Sequence, residues 1–316
     1  MIQTVVYDSS AAGNFTLKEA EEPRPSRSKA VVRVEAFSLN QGEVRDAAKH
    51  GDGFRPGWDF AGTVIEAAAD GSGPAAGSRV FGLLLSGAWA EKIAAPTSQL
   101  AEIPDGLSFK QAAALPVAGL SALYTLRKGG LLLGRRVLIT GSTGGVGLLA
   151  HRLAALSGAY VTGTARSEEK AALVREAGAD EVIVGEMPPA GAAAFAPYDL
   201  IIDSVGGETL TALVPMLIPG GTLVSMGYSS SPSSALDIRE LSSVGGRTLY
   251  GFFLAEELNR SAASPGLSLL ARLAAEGKLT PHIGAEASWE EIGRIARRLL
   301  NREFSGKAVL TVRKAE

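Results

Sequence analysis

The chain has 316 residues, a formal net charge of −2, 46% hydrophobic and 20% charged residues, and no cysteine. Its length predicts two domains with separate cores, and the scattered lysines and arginines exclude nucleic acid as an expected partner. The lack of cysteine excludes disulfides and thiolate metal sites, and the three separated histidines lack a zinc-binding spacing, so no metal is expected.

Short β-rich runs separated by Gly, Pro, Ser and Asp occupy the chain from Met1 to about Pro104. They are QTVVY, AVVRVEAFSL, DFAGTVIEAA, SRVFGLLL and AEKIAA. This pattern predicts a small all-β domain. The next stretch, FKQAAALPVAGLSALYTLRKGG, has helical periodicity and ends in glycines that suit a helix C-cap. It predicts a helix close to a domain boundary.

From Arg136 onward, apolar strands alternate with helices. The predicted strands are VLIT, AYVTGT, DEVIV, DLIIDSV and GTLVSMG, and the helices between them include GLLAHRLAALSG and EEKAALVREAG. This alternation predicts an α/β fold with a doubly wound parallel sheet. After the strand-like TLYGFFL come two helical segments, PGLSLLARLAAEGKL and SWEEIGRIARRLL. The final strand, KAVLTV, is expected to return to the sheet of the first domain.

A glycine-rich turn stands between VLIT and the helix that opens near Val146. Its residues are Gly141, Ser142, Thr143, Gly144, Gly145, Val146 and Gly147. Glycines let the backbone approach a pyrophosphate, and the start of a helix favours negative charge. The spacing differs from G-x-G-x-x-G, but the strand, turn and helix context predicts a dinucleotide site. The alternative is a plain βα turn.

The second strand of this domain ends at Arg166 and Ser167, where NAD sites usually have an acidic residue. Lys170 follows one turn later. Guanidinium and ammonium groups form charge-assisted hydrogen bonds to phosphate oxygens, so these residues favour NADP(H) over NAD(H). The alternative is that Ser167 is only an N-cap and the two cations are solvated.

Several segments together resemble the medium-chain dehydrogenase/reductase superfamily, in its zinc-free quinone oxidoreductase and enoyl reductase branch. They are SLNQGEVRDA, GWDFAGTVIEA, AAALPVAGLSALYTL, LITGSTGGVGLLAHRLA, DLIIDSVGG, GGTLVSMG and SGKAVL. The resemblance spans nearly the whole chain. It implies a GroES-like β domain of residues 1–116 and 257–316 and a Rossmann domain of residues 117–256, with the active site in the cleft between them.

The resemblance also implies a reaction without zinc. Zinc-dependent alcohol dehydrogenases of the superfamily have a Gly-His-Glu motif where this chain has Gly57, Trp58 and Asp59. They also have a cysteine ligand near the positions of Ser38 to Asn40. Neither ligand is present here.

Asn40 matches the Asn that lies at the nicotinamide in the quinone oxidoreductases, and a tyrosine often stands five residues later. Arg45 stands at that place here. Arg45 is expected either to attract a carbonyl oxygen or a carboxylate of the substrate or to be a solvated surface arginine. For Asn40 the alternative is a turn-capping role.

The same matching implies further contacts to the cofactor, by Ser204, Gly227, Tyr228, Phe252, Phe253 and Lys307. For the two phenylalanines the alternative is a place in the core. For Lys307 the alternative is an ordinary strand lysine.

The expected reaction is hydride transfer from NADPH to a quinone or an α,β-unsaturated carbonyl. One alternative is an NADPH-binding sensor or structural protein without turnover. The other is a short-chain dehydrogenase, because Thr140 opens a TGxxxGxG motif and Tyr124 and Lys128 are four residues apart, although the order of these motifs argues against it. No signal peptide or membrane span is evident, so we expect a cytoplasmic protein, and TLYGFFL suggests a homodimer through a sheet edge.

Overall fold

The computed structural model describes residues 1–312, and residues 313–316 of the predicted first domain lie outside the described residues. Contacts divide the chain into two compact units. The first consists of Met1–Leu120 with the described part of Leu258–Glu316, and the second of Ser121–Glu257. Within residues 1–312, no helix is both long and apolar enough to cross a membrane.

The N-terminal part of the first unit is mostly β-structure. Its strands are β1 Ile2–Tyr7, β2 Phe15–Ala20, β3 Lys29–Leu39, β4 Asp59–Glu66, β5 Arg79–Leu83, β6 Lys92–Pro96 and β7 Leu100–Glu102. The helices in this part of the chain are α1 Gln41–Asp46, α2 Phe109–Ala113 and α3 Pro116–Arg127, the last of which continues into the second unit.

Strands and helices then alternate through the second unit. The strands are β8 Arg136–Ile139, β9 Tyr160–Ala165, β10 Glu181–Val184, β11 Tyr198–Asp203, β12 Leu217–Ser225 and β13 Thr248–Gly251. The helices are α4 Gly145–Leu156, α5 Glu168–Glu176, α6 Gly207–Leu213, α7 Arg239–Ser242 and α8 Leu254–Arg260, the last of which ends in the first unit. The chain then adds α9 Ser264–Ala275, β14 Ile283–Ser288, α10 Ile292–Leu300 and β15 Lys307–Thr311 to the first unit.

The main sheet of the first unit has the order β14-β15-β3-β4-β5-β7, with β6 also pairing with β3. β15 runs antiparallel to β3, with Ala308 opposite Leu39. This pairing confirms that KAVLTV returns to the first domain's sheet. Aromatic rings fill the core beside it, where Phe37 stacks on Trp89 with the ring centres 5.5 Å apart.

The sheet of the second unit is parallel in all its pairs, in the order β10-β9-β8-β11-β12-β13. Numbered from β8, this is the order 3-2-1-4-5-6 of a doubly wound dinucleotide-binding sheet. These strands are rich in β-branched and other apolar residues, as expected of a parallel sheet whose two faces are covered by helices. The predicted fold class is confirmed. The order reverses between β8 and β11, and ligands of such sheets bind outside the carboxyl ends of the strands at that point.

Two predicted elements differ from the structure. The segment from Phe109 to Gly130 was predicted as one helix, but α2 and α3 are separate, because a proline such as Pro116 cannot donate a helical hydrogen bond and clashes with the preceding turn. The strand in TLYGFFL ends at Gly251, and Leu254 already begins α8.

Candidate functional site

A tight glycine-rich turn joins β8 to α4 in the second unit. Gly141 has a φ of +62°, a left-handed conformation that glycine adopts without strain. A Cβ on Gly141 would lie 2.2 Å from Ser204 Oγ, and a Cβ on Gly147 would lie 2.5 Å from the carbonyl oxygen of Gly141. Side chains at these two positions would therefore force the turn open.

The turn ends at the open N-terminus of α4. The N-cap residue is Gly144, so no side chain caps this helix. The first N–H groups of an α-helix lack partners within the helix, and together with the helix dipole they favour an anion. The predicted turn residues thus lie around one helix N-terminus. These are Gly141, Ser142, Thr143, Gly144, Gly145, Val146 and Gly147.

Buried hydroxyl groups hold the turn from the inside. Ser142 Oγ donates to the carbonyl oxygen of Ile139 at 2.7 Å and accepts from the N–H of Thr164 at 2.8 Å. Thr140 Oγ1 donates to Asp203 Oδ1 at 2.6 Å. The side chain of Ser142 therefore connects β8 to β9, and only its backbone remains available to a ligand.

The carboxyl end of β11 packs against the same turn. Ser204 Oγ donates to the carbonyl oxygen of Thr140 at 3.3 Å, and a Cβ on Gly227 would lie 3.0 Å from the carbonyl oxygen of Ser204. Gly141, Ser204 and Gly227 are thus brought together where the strand order reverses. Tyr228 follows directly and is 45% exposed.

The two predicted phenylalanines have different surroundings. Phe252 is buried, and its N–H donates to the carbonyl oxygen of Ser225 at 2.8 Å. Phe253 is 67% exposed. Phe252 therefore has the burial of a core residue, whereas Phe253 presents its ring at the surface. A cofactor contact stays a prediction for both.

Two cations follow the end of β9, Arg166 directly after it and Lys170 in the first turn of α5. Within residues 1–312, neither Arg166 nor Lys170 has an acidic partner at ion-pair distance. Ser167 is the N-cap of α5, and its Oγ accepts from the N–H of Lys170 at 3.4 Å. Glu168 pairs with Arg175 at 3.5 Å instead. Arg166, Lys170 and the Ser167 hydroxyl hydrogen are thus left available for an anion.

A buried polar network lies in the first unit and joins three of its elements. Lys307 Nζ donates to Asn40 Oδ1 at 2.5 Å and to Asp59 Oδ2 at 3.0 Å. Asn40 Nδ2 donates to Asp59 Oδ2 at 2.8 Å. The Lys307 and Asp59 side chains are only 4% and 0% exposed. The predicted residues Asn40 and Lys307 are therefore brought into direct contact.

Asp59 is the common acceptor of this network. Its carboxylate also accepts from Ser38 Oγ at 2.7 Å and from the N–H of Val117 at 2.8 Å. A buried carboxylate needs such partners because burial without them costs several kcal/mol. Ser38 at the end of β3 and Asp59 at the start of β4 thus bond each other directly.

The sequence analysis missed Glu43. Its Oε1 accepts from the N–H of Asn40 at 2.7 Å and from Asn40 Nδ2 at 2.9 Å, whereas its Oε2 is buried and has no hydrogen-bond partner in the described chain. Burial, and next the charge of Asp59, raise the pKa of Glu43 to about 8. The spacing Asn40-x-x-Glu43 is that of a capping box, which could have indicated this contact.

Arg45 lies on the exposed side of α1. Its Nε donates to Asp46 Oδ1 at 2.9 Å, and the side chain is 40% exposed. This hydrogen bond comes first among the causes that lower the pKa of Asp46. These contacts match the alternative of a surface arginine, and a role at the reacting oxygen stays a prediction.

Two family models match the chain. The alcohol dehydrogenase GroES-like domain matches residues 26–105, and the zinc-binding dehydrogenase model matches residues 145–272. A chloroplastic quinone-oxidoreductase of Triphysaria versicolor is 33% identical over 72% of this chain and 75% of its own length. The chain belongs to the medium-chain dehydrogenase/reductase superfamily, in its quinone oxidoreductase and enoyl reductase branch.

Other members of the superfamily match almost end to end. The acryloyl-coenzyme A reductase of Sulfurisphaera tokodaii is 26% identical over 94% of this chain and 96% of its own. The solved quinone oxidoreductase from Coxiella burnetii is 27% identical with a TM-score of 0.86, over 99% of both chains. The protein is therefore an oxidoreductase of a dinucleotide-binding family. The short-chain alternative is wrong, since this chain belongs to the medium-chain superfamily.

The zinc in the name of the second family model does not fit the residues of this superfamily member. Its sequence has no cysteine. Among the residues that the structure describes, no group of three or more His, Cys, Asp or Glu side chains is arranged to hold a metal ion. The carboxylate of Asp59 is already paired with the ammonium of Lys307, whose positive charge repels a second cation.

Proposed function

We propose that the protein reduces a quinone or an α,β-unsaturated carbonyl compound with NADPH, by hydride transfer and without zinc. The observation that carries this proposal is the Lys307–Asp59 ion pair, with Asn40 bonded to both partners. It places a lysine ammonium against the buried carboxylate of Asp59, and the positive charge of that ammonium repels a metal ion. The substrate classes are those in the names of the quinone oxidoreductase and acryloyl-coenzyme A reductase relatives.

NADPH is the proposed form of the dinucleotide. The glycine-rich turn from Gly141 to Gly147 would hold the pyrophosphate at the N-terminus of α4. Arg166 and Lys170 would hold the 2′-phosphate, because both cations lack an ion pair in the described chain and both can form charge-assisted hydrogen bonds. The exposed Ser167 adds a hydroxyl donor beside them.

NADPH, when bound, supplies the hydride that adds to the β-carbon of the unsaturated substrate. We propose that Asn40 binds and orients the ligand and does not polarise the substrate oxygen. Both hydrogens of its Nδ2 are already donated, one to Glu43 and one to Asp59. Asn40 therefore offers only the acceptor Oδ1 to a ligand, and the substrate oxygen takes its proton from solvent.

Lys307 is proposed to contact the cofactor through its remaining hydrogen. An ammonium group has three N–H donors, and two of them are directed at Asn40 and Asp59. The ion pair fixes the position of Nζ in the low-dielectric interior, where a charge acts on a ligand more strongly than in water. Further contacts of the dinucleotide are proposed for Ser204, Gly227, Tyr228, Phe252 and Phe253.

An anaerobic NADPH-oxidation assay over a panel of quinones and enones tests this function. We expect turnover well above the buffer rate for at least one substrate, and slower turnover with NADH. If no compound is turned over, the proposal fails. A fluorescence titration beside the assay detects NADPH binding without turnover, which would favour the sensor or structural alternative that the exposed Arg45 motivates.

The protein is further proposed to be a cytoplasmic homodimer. β13 is the last strand of the parallel sheet among the described residues, and Leu249 on it is 37% exposed. An unpaired apolar edge is suited to pair with a second copy. Light scattering at several protein concentrations tests this, and a mass equal to one chain at all of them would contradict it.

A further inference from the structure

The carboxylate of Asp203 shapes the loop that follows β11 in the second unit. Its Oδ1 accepts from the N–H of Val205 at 3.1 Å, and its Oδ2 accepts from the N–H of Gly206 at 2.9 Å. Both oxygens must therefore act as acceptors, which a carboxylate can do and an amide cannot. Asp203 is fully buried, and among the described residues no cation lies at ion-pair distance from it. Hydrogen bonds, and not a counter-charge, thus hold this carboxylate in place.

Thr140 connects the same loop to the glycine-rich turn. Its Oγ1 donates to Asp203 Oδ1 at 2.6 Å and accepts from the N–H of Ser204 at 3.1 Å. The residue pairing between β8 and β11 ends one position earlier, at Ile139 and Ile202. The buried hydroxyl of Thr140 therefore extends the connection beyond the paired residues, to the point where both strands give way to their loops.

The segment after β12 is bound to this loop as well. The N–H of Ser229 donates to the carbonyl oxygen of Ser204 at 3.2 Å, and the N–H of Ser230 donates to the carbonyl oxygen of Val205 at 2.8 Å. The loop that Asp203 shapes therefore contacts both the glycine-rich turn and the segment after β12. A change in its conformation would move the backbone on both sides of it.

The strand order indicates which half of a dinucleotide would meet this loop. The proposed pyrophosphate site follows β8, and the proposed 2′-phosphate site at Arg166 follows β9. In the order β10-β9-β8-β11-β12-β13, the adenosine half would therefore lie on the β9 side of β8. The other half would extend over the carboxyl ends of β11 and β12, because such sheets bind the dinucleotide across the point where the order reverses. Asp203 stands at the carboxyl end of β11.

We propose that Asp203 is a positioning residue for the nicotinamide half of the dinucleotide, acting through Thr140 and the loop of residues 204–206. This inference rests on the proposed function, in which Ser204 contacts the cofactor. The hydrogen bonds of Asp203 give the loop its conformation before the cofactor binds, so less conformational freedom is lost on binding.

Affinities for NADPH and for adenosine 2′,5′-bisphosphate, a fragment without the nicotinamide half, test this inference. Asp203→Asn directs an NH₂ group at one of the two backbone N–H groups that the carboxylate binds, whichever way the amide is turned. Thr140→Val removes the shared hydroxyl, and Thr140→Ser keeps it. Asp199→Asn is the matched control, because Asp199 accepts from the N–H of Arg136 at the opposite, amino end of the same strand.

We expect Asp203→Asn and Thr140→Val to bind NADPH about tenfold more weakly than the wild type. Their affinity for adenosine 2′,5′-bisphosphate should stay within about threefold of the wild type. Thr140→Ser and Asp199→Asn should bind both ligands like the wild type. A general weakening of the fold would lower both affinities alike, so the ratio of the two affinities distinguishes positioning from a purely structural role.

Two results would overturn the inference and leave the proposed function intact. One is an equal loss of affinity for both ligands in the folded variants, and the other is an unchanged affinity for NADPH in them. If neither variant folds, hydrogen exchange in the wild type decides. We expect NADPH to slow exchange at residues 204–206 and 226–230 more than the bisphosphate does, and equal protection by the two ligands would overturn the inference. A wild type that binds neither ligand overturns the proposed function and this inference with it.

Discussion

Lys307 Nζ lies 3.0 Å from Asp59 Oδ2, although the two residues are 248 positions apart in the chain. The contact depends on the C-terminal strand, since β15 pairs with β3 and β3 pairs with β4, which begins at Asp59. Neither side chain is exposed by more than 4%. The ion pair therefore connects the C-terminal strand β15 to β4 within the first unit.

Replacing Lys307 by methionine should destabilise the protein strongly. The substitution leaves the carboxylate of Asp59 buried without a counter-charge, which costs about 3–5 kcal/mol. Urea unfolding measures this loss. The matched control is Lys110→Met, because Lys110 pairs with Glu286 at 2.6 Å at an exposed position where a pair contributes about 1 kcal/mol or less. Equal losses of stability in the two variants would show that the buried ion pair contributes no more to stability than the exposed pair.

Replacing Arg166 by alanine should weaken NADPH binding and leave NADH binding unchanged. A hydrogen bond to a charged group contributes about 1.5–3 kcal/mol, which corresponds to about ten- to a hundredfold in affinity. Arg175→Ala is the control, since Arg175 lies on the following helix but pairs with Glu168. Fluorescence titration with both dinucleotides gives the two affinities. A variant that still binds NADPH like the wild type would remove Arg166 from the 2′-phosphate site.

Replacing Gly147 by alanine should open the glycine-rich turn. The new Cβ would lie 2.5 Å from the carbonyl oxygen of Gly141, a backbone atom that cannot move alone. Such overpacking costs about 1–3 kcal/mol, so we expect dinucleotide affinity to fall by about five- to a hundredfold. Gly251→Ala serves as control because a Cβ there meets no atom within 4 Å. If Gly147→Ala bound the dinucleotide like its control, this turn would not be the binding site.

His151 should make the protein sensitive to acid. The residue is fully buried, neither ring nitrogen has a hydrogen-bond partner in the described chain, and burial lowers its pKa from 6.5 to about 3. The unfolded chain therefore binds one more proton between these two values, and stability is lost as pH falls below 6.5. At about pH 5 the loss is about 2 kcal/mol.

The substitution His151→Leu should remove this loss. Urea unfolding at about pH 7.5 and about pH 5 compares it with the wild type. The exposed His50→Leu is the matched control, since it leaves the buried ring in place. An equal loss of stability on acidification in wild type and His151→Leu would show that another group is responsible.

The second unit was largely predictable because its signals are local. Glycines at fixed spacing, buried β-branched strands and the cations after β9 can all be recognised in short stretches of sequence. The strands β2 and β14 gave no such signal, since each has several exposed or half-buried positions and lacks a clean alternation. Pro116 was a visible helix breaker, but the apolar residues around it outweighed it in the pattern.

The polar network of the first unit could be predicted only in part. The resemblance pointed to Asn40 and Lys307, but not to their contact, which depends on pairing between strands at opposite ends of the chain. The burial of Glu43 was the least predictable feature, because charged residues are rarely buried and a glutamate in a short helix is expected at the surface. Its burial follows from tertiary packing, which a single sequence does not encode locally.

The most direct test of the account is substrate reduction by NADPH after exhaustive treatment with a strong metal chelator. The ammonium of Lys307 pairs with the carboxylate of Asp59 and repels a second cation, so we expect the treated enzyme to reduce a quinone or enone at its original rate and to prefer NADPH over NADH. Loss of activity on chelation that added zinc restores would contradict the account, as would the absence of reduction for every substrate tried.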